Sequence, residues 1–193
     1  NSLFVSGKTS YLRETAPILY PYVETRFGGL PFTFSDLYGK FTTQNKSGSK
    51  LTAKAFNFSD AVMLDSAKGI QWNSWGYGMN FMVIPPASAT LIEGDFAQSQ
   101  YFIQSTENPD QPRNSTINGF NGGLDFTYFI GKADEFKYGI DLIGYDTDFN
   151  YTNSLGLSLN QQESTTELGG YFNYRKVGPL LVIEPGLRLH YYG

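Results

Sequence analysis

Few residues in this sequence could do chemistry. There is one histidine, His190, and no cysteine. Within these residues a thiolate metal site, a disulfide and a cysteine nucleophile are therefore excluded, and a catalytic triad would have to be built on His190 alone. His190 falls on the polar parity of its strand pattern, where it reads as a wall residue and not as a ligand. The run DTDFNYTN (146–153) opens with the Asp-x-Asp-x-Asn spacing of a calcium loop. That loop needs glycine where Tyr151 stands and a bidentate acid where Leu157 stands, so a plain polar loop is the better reading. GFNGGLDF (119–126) is rich in glycine but lies within a strand pattern, with no helix behind it to hold a phosphate. The sequence thus offers no catalytic residue, metal site or cofactor site, and the expectation is a protein that is not an enzyme.

Charged residues give a more consistent signal. Asp36 and Lys40, Lys137 and Asp141, and Glu184 and Arg188 each share the polar parity of their strand. Partners four residues apart on one strand lie about 13 Å from each other, so they must pair with other strands or with something the strands enclose. These six are the expected polar wall. A second set lies in RETAPILYPYVETRFGGLP (13–31), where Tyr20, Tyr22 and Phe27 sit among three prolines. Aromatic residues in a surface loop need cover. They either pack on neighbouring loops or touch a ligand or a lid protein.

The elements that must carry these residues are strands. Trp75, Tyr77, Met79, Phe81 and Val83 alternate with Ser74, Gly76, Gly78, Asn80 and Met82. Leu124, Phe126, Tyr128 and Ile130 do the same, as do Phe136, Tyr138, Ile140 and Leu142, then Leu168, Gly170, Phe172 and Tyr174. Noisier strands are expected near 3–12, 32–44, 50–60 and 89–104, and a last one at 180–192 carries Pro185, which costs the ladder a donor. About nine strands result. Tight connections (45–49, 84–88, 131–135, 176–179) alternate with longer ones (13–31, 61–69, 105–116, 150–164). That rhythm describes an up-and-down antiparallel sheet with unlike ends.

A soluble sandwich also alternates, but its strands average 5–6 residues, against about 11–15 here. A tilted membrane strand needs about 9–11. Aromatics stand near the expected strand ends (Tyr11, Trp72, Tyr128, Phe136, Tyr174, Tyr191, Tyr192), as interface girdles require. Strands in lipid must pair fully, so they belong to a closed barrel. The uncharged stretch from Gly69 to Ile92 is long enough for a membrane helix, but Pro85, Pro86 and its alternating glycines reject one. A formal charge of −4 with no Lys/Arg cluster argues against nucleic acid as partner. An odd strand count and termini that fall within strands suggest part of a larger barrel.

The opening FVSGKTSYL, the loop after it and FTFSDLYGKF resemble the early barrel strands of TonB-dependent outer-membrane receptors of the Bacteroidetes type. There a Ser-x-x-x-[ST]-Tyr-Leu strand, a loop and an Asp-Leu-x-x-Lys strand follow one another. The closing LGGYFNYRKVGPLLVIEPGLRLHYY is similar to the family's mid-barrel hairpin, whose second strand ends in Gly-Leu-Arg. The resemblance implies roughly the third to eleventh strands of a transmembrane barrel of about 22. Residues 1–193 would then be barrel wall, without plug domain, TonB box or C-terminal strand. It further implies TonB-driven import of an iron complex, glycan or peptide. Outer-membrane lipids, TonB, an internal plug and a surface lipoprotein lid would be partners, and the longer connections extracellular. The alternative is a structural or docking barrel of an outer-membrane assembly or secretion complex that has lost transport.

Overall fold

The computed structural model describes residues 1–22, 30–63, 68–107, 112–131, 133–153 and 155–193. Its strands are β1 (Ser2–Thr9), β2 (Phe32–Gln44), β3 (Lys50–Met63), β4 (Gly69–Val83), β5 (Thr90–Thr106), β6 (Pro112–Ile130), β7 (Asp134–Thr152), β8 (Ser158–Val177), β9 (Val182–Ile183) and β10 (Gly186–Tyr192), with one helix, α1 (Leu12–Leu19), after β1. All the strands lie in one antiparallel up-and-down sheet, in the order β1-β2-β3-β4-β5-β6-β7-β8-β10, with β9 beside β8. The sheet is open in this structure, with β1 and β10 at its edges. It has a single layer. Among the described residues only Ala16 and Thr127 have buried side chains, so the sheet has no apolar core of its own. A sandwich would have given one.

The register is continuous along each neighbouring pair. Every pairing from β2–β3 to β7–β8 runs without an inserted residue, so each row of partners crosses the sheet on one face. The expected strand at 180–192 is also one path. β9 and β10 keep the same register against β8, and the gap at Pro185 removes only ladder donors. The Pro185 carbonyl still accepts from Tyr174 N at 3.0 Å. At the tight turn after β2, Asn45 Oδ1 accepts from Ser49 N at 2.9 Å while Gly48 takes φ 91°, a value glycine tolerates.

Three expectations change. The strand expected at 3–12 ends at Thr9, and Leu12–Leu19 is helical. Leu, Arg, Glu and Ala favour helix there, and Glu14 suits its first turn; Pro17 and the neighbouring prolines hid that preference. Secondly, the strands run well past their expected upper ends. β5, β6, β7 and β8 have 17, 19, 19 and 20 residues. The expected loops 61–69, 105–116 and 150–164 shrink to the connections 64–68, 107–111 and 153–157. Thirdly, the contrast of long and short connections survives only in the first connection, 10–31. The two ends differ in how far the strands project, not in loop length.

Two glycines on the face of the apolar band lie under a ring of their register partner. A Cβ on Gly144 would land on the Phe120 ring, and one on Gly94 on the Phe81 ring. Gly122, on the same face, has nothing closer than Asp95 O at 3.8 Å. Gly144→Val should therefore lower unfolding free energy by about 1–3 kcal/mol through displaced packing, and Gly122→Val should leave it unchanged or raised. Equilibrium unfolding of the full-length protein checks this, and equal losses at both sites would contradict the ring-over-glycine packing.

Candidate functional site: the two faces of the sheet

The end carrying the turns 45–49, 84–89, 131–133 and 178–181 is the lower end. On one face the lower half is apolar. Ala53, Met79, Phe96, Gly122, Leu142 and Leu168 form one register row across β3–β8, and Tyr128, Phe136 and Tyr174 form another nearer the turns, with Ile130 opposite Asp134 below it. The Phe136 and Tyr174 rings stack at 4.6 Å. Tyr191 lies on this face too, whereas Trp72 and Tyr192 lie on the other and Tyr11 caps α1. The expected aromatic girdle thus keeps four of its seven members.

The apolar band slants across the register. On β2 it occupies Leu37–Phe41, and on β8 Leu168–Tyr174. The row of Leu37 reaches Ser164, four residues above Leu168; the row of Phe41 reaches Leu168, six residues above Tyr174. A drift of four to six residues is roughly 13–20 Å across six inter-strand steps of about 4.8 Å, which is a slant of roughly 25–35°. Strands of membrane barrels tilt by about 35–45°. A band level with a membrane would cut tilted strands this way.

On the opposite face the lower half is charged. Lys40, Lys137, Asp141, Glu184 and Arg188 stand there, and Asp36 stands on the same face, as their shared parity required, but in the upper row of Phe58. Of the three same-strand pairs none joins to itself. Instead Arg188 Nη2 reaches Asp141 Oδ2 at 2.9 Å, two strands away, and Glu184 Oε1 accepts from Asn173 Nδ2 at 3.1 Å. His190 lies 3.5 Å from Glu167 Oε2, a wall contact.

The geometry beneath these contacts repeats. Asp95, Asp125 and Asp141 each have a glycine as register partner on the next strand: Gly123, Gly139 and Gly169. A Cβ on any of the three would meet the carboxylate. Lying across bare backbone, Asp125 accepts from the Tyr171 hydroxyl and Asp141 from Arg188, each on the second strand over. Asp95 accepts from Asn121 Nδ2 at 2.8 Å. Sequence reading found Asp141 and Arg188 but not the glycines or Asp95, Asp125 and Tyr171. The signal, an acid opposite a glycine, exists only once the register is known.

In the upper half the faces exchange character with no bulge. On β7, Phe136, Tyr138, Ile140 and Leu142 are followed on the same face by Gly144, Asp146, Asp148 and Asn150. Lys137, Gly139 and Asp141 are followed on theirs by Ile143, Tyr145, Thr147, Phe149 and Tyr151. The swap spans the sheet. Asn57, Trp75, Gln100, Asn118, Asp146 and Ser164 make one row, and Ala61, Gln71, Gln104, Asn114, Asn150 and Asn160 another, with Phe102 the large apolar exception between them. Their amides join: Trp75 Nε1 donates to Gln100 Oε1 at 2.9 Å and Gln100 Nε2 to Asn118 Oδ1 at 2.7 Å. Gln71 Nε2 donates to Gln104 Oε1 at 2.9 Å. Behind them stand Phe34, Phe56, Phe58, Trp72, Tyr101, Ile103 and Ile117. DTDFNYTN is therefore mostly strand, not loop, and no cluster of metal-ligating side chains occurs among the described residues. Tyr20 and Tyr22 meet edge-on at 6.1 Å and stay more than half exposed; Phe27 lies outside the described residues.

No family model matches the sequence, and no curated protein does either. Among solved structures the chain is similar to the translocator domain of the autotransporter NalP from Neisseria meningitidis, with 12% identity, a TM-score of 0.40, and coverage of 82% of this chain and 60% of that one. The chain thus spans less than two thirds of the structure it matches. The likeness concerns an outer-membrane β-barrel fold, and at this TM-score it carries no argument about function. No helix among the described residues is long and apolar enough to cross a membrane, which says nothing of strands.

Gly169 tests the acid-over-glycine arrangement, because the Asp141 carboxylate occupies the space of its missing Cβ. Gly169→Ala should push Asp141 off Arg188 and destabilise the protein by about 1–3 kcal/mol. Adding Asp141→Ala should recover most of the loss, a coupling that a double-mutant cycle measures. Strictly additive effects would contradict the arrangement.

Proposed function

We propose that this chain is wall of an outer-membrane β-barrel, with the apolar band against lipid and the charged lower face inward. The slanted band carries the reading: it supplies lipid-facing apolar surface at the angle a tilted strand would give it. The charged face suits a wet interior, and continuous pairing from β2 to β8 leaves no open strand edge between them among the described residues. Within that reading, the barrel belongs to a receptor that imports a nutrient under TonB coupling. The resemblance of FVSGKTSYL, FTFSDLYGKF and the closing hairpin is what supports this; none of the three comparisons brings such receptors to the chain. Tyr20 and Tyr22, exposed at the upper end, are then contacts for the ligand or a surface lid. A second reading is a barrel of an assembly or secretion complex. The aromatic belt on the upper inward face favours it, because a protein chain passing or docking there would find apolar cover.

The lipid assignment rests on face, so adjacent residues test it. Met79→Arg puts a charge in the band and should cost about 2–4 kcal/mol at mid-membrane depth. Asn80→Arg faces inward beside Asp95 and should be mild. Heat-modifiable migration of the full-length protein scores assembly, and equal damage would remove the barrel reading. Import is tested separately. Growth on the limiting nutrient should fail alike when this protein is deleted and when TonB is uncoupled. Growth unchanged by uncoupling, together with other outer-membrane proteins lost on deletion, would hand the function to the assembly reading.

A further inference from the structure

Lys40 on β2 and Lys54 on β3 are register partners on the inward face. The Cα atoms of such partners lie about 4.5–5.5 Å apart, and like charges placed directly opposite each other destabilise a sheet. Neither lysine side chain makes an ion pair or a hydrogen bond among the described residues. On β1–β4 no carboxylate stands on this face below the row of Asp36. Towards β10 the nearest acids, Glu93 and Asp95, lie two strands from Lys54, with Met82 and Asn80 between. Asp141, by contrast, crosses the bare Gly169 to reach Arg188. Asp95 turns away from the lysines, to Asn121. The described ladder has one other like-charged pair, Glu93 with Asp125, and there Asp125 lies across Gly139 and accepts from Tyr171. The lysine pair has no such outlet.

One row nearer the turns, on the same face, stand Thr42, Thr52 and Asn80. The two hydroxyls are 3.2 Å apart, so one donates to the other and a single hydroxyl proton stays free. The Asn80 amide makes no hydrogen bond among the described residues. Beside Lys54 the row continues with Gly78, which has no side chain to cover the step. Two ammoniums, a hydroxyl and an amide thus share one patch of wall with no acid among them. We infer that this patch binds a soluble oxyanion, a phosphate or a polycarboxylate, in the barrel interior. The ammoniums supply the opposite charge, and the oxygens of the anion accept charge-assisted hydrogen bonds from them and neutral ones from the hydroxyl and the amide. A carboxylate on a docked protein segment would offer the same oxygens. Such a segment also needs apolar surface to bury, and Lys40, Lys54, Thr42, Thr52, Asn80 and Gly78 supply none. The inference rests on the barrel reading, which places this face inside and away from lipid phosphates.

The test uses the full-length protein in a neutral detergent, with inorganic phosphate and citrate as probes and chloride at equal ionic strength as the reference. Phosphate and citrate should raise the midpoint of thermal unfolding above that in chloride, because only the folded wall binds them. In titration calorimetry, Lys40→Gln combined with Lys54→Gln should weaken binding by about tenfold or more. Lys54→Glu sets an opposite charge against Lys40 and should remove the gain from both probes. Lys137→Gln, further along the same face, should keep it. A gain from one probe alone upholds the inference and names the oxyanion. No gain in the wild-type protein overturns it, and so does an equal gain in the lysine variants, which would place the anion elsewhere. Zero-length carbodiimide coupling of Lys40 or Lys54 to a carboxylate of another segment would hand the patch to protein and also overturn it, while the barrel reading stands. Normal assembly of Met79→Arg would instead remove the barrel reading itself, whatever phosphate does to stability.

Discussion

One sheet in one unbroken register is the constraint on which everything else depends. In a single layer a side chain has only two places to go, and the period of two decides which. From β2 to β8 no inserted residue resets that choice. The apolar residues of the lower half, such as Ile140 at 58% exposure and Leu189 at 70%, therefore cannot be covered by rearranging the sheet. Their cover has to come from the medium. The same rule places the lower-half carboxylates opposite that medium, where Asp141 can meet Arg188, except Asp134 at the very start of β7.

Much of this was legible without coordinates. Parity alone put Asp36, Lys40, Lys137, Asp141, Glu184 and Arg188 on one face, and alternation found the strands and their antiparallel order. Pro185, a defect in the pattern, proved to be a local gap in a continuous path. What escaped the sequence falls into two kinds. Cross-strand facts need the register: an acid over a glycine, as at Asp125 and Gly139, has no trace within either strand. The other kind was a misread signal. Polar residues at 146–153 and 158–164 looked like loop because loops are polar, yet a strand whose outward face meets water is polar too.

The misreading also explains why the helix at Leu12–Leu19 was missed. A proline-rich, aromatic stretch between two strands reads as loop by composition, and Pro17 breaks the helical pattern at its centre. Ala16 is nevertheless buried there, so the segment is anchored through a packed residue and not merely tethered at its ends. Tyr20 then follows directly on the helix, fixed at its C-terminal end by Tyr20 N donating to Ala16 O at 2.7 Å. An aromatic held on a short helix presents its ring at lower entropic cost than one on an open loop.

The exchange of character along β7 separates strand geometry from environment. A bulge would have turned the apolar residues to the other side while the medium stayed the same. None is present, so it is the medium that changes along the strand. Length agrees. Nineteen residues extend roughly 60 Å, or about 45 Å along the axis of a tilted barrel, against an apolar band about 25 Å tall. Roughly 20 Å of wall is left to project beyond the lipid, wet outside and apolar within. In that projection the inward face carries Phe34, Phe56, Phe58, Trp72, Tyr101, Ile103, Ile117 and Tyr145, with Asp36, Asp60, Arg113 and Glu163 as charged neighbours in the same rows or the next. Rings and scattered charges thus share the inward face above the membrane, over the acid-lined wall below.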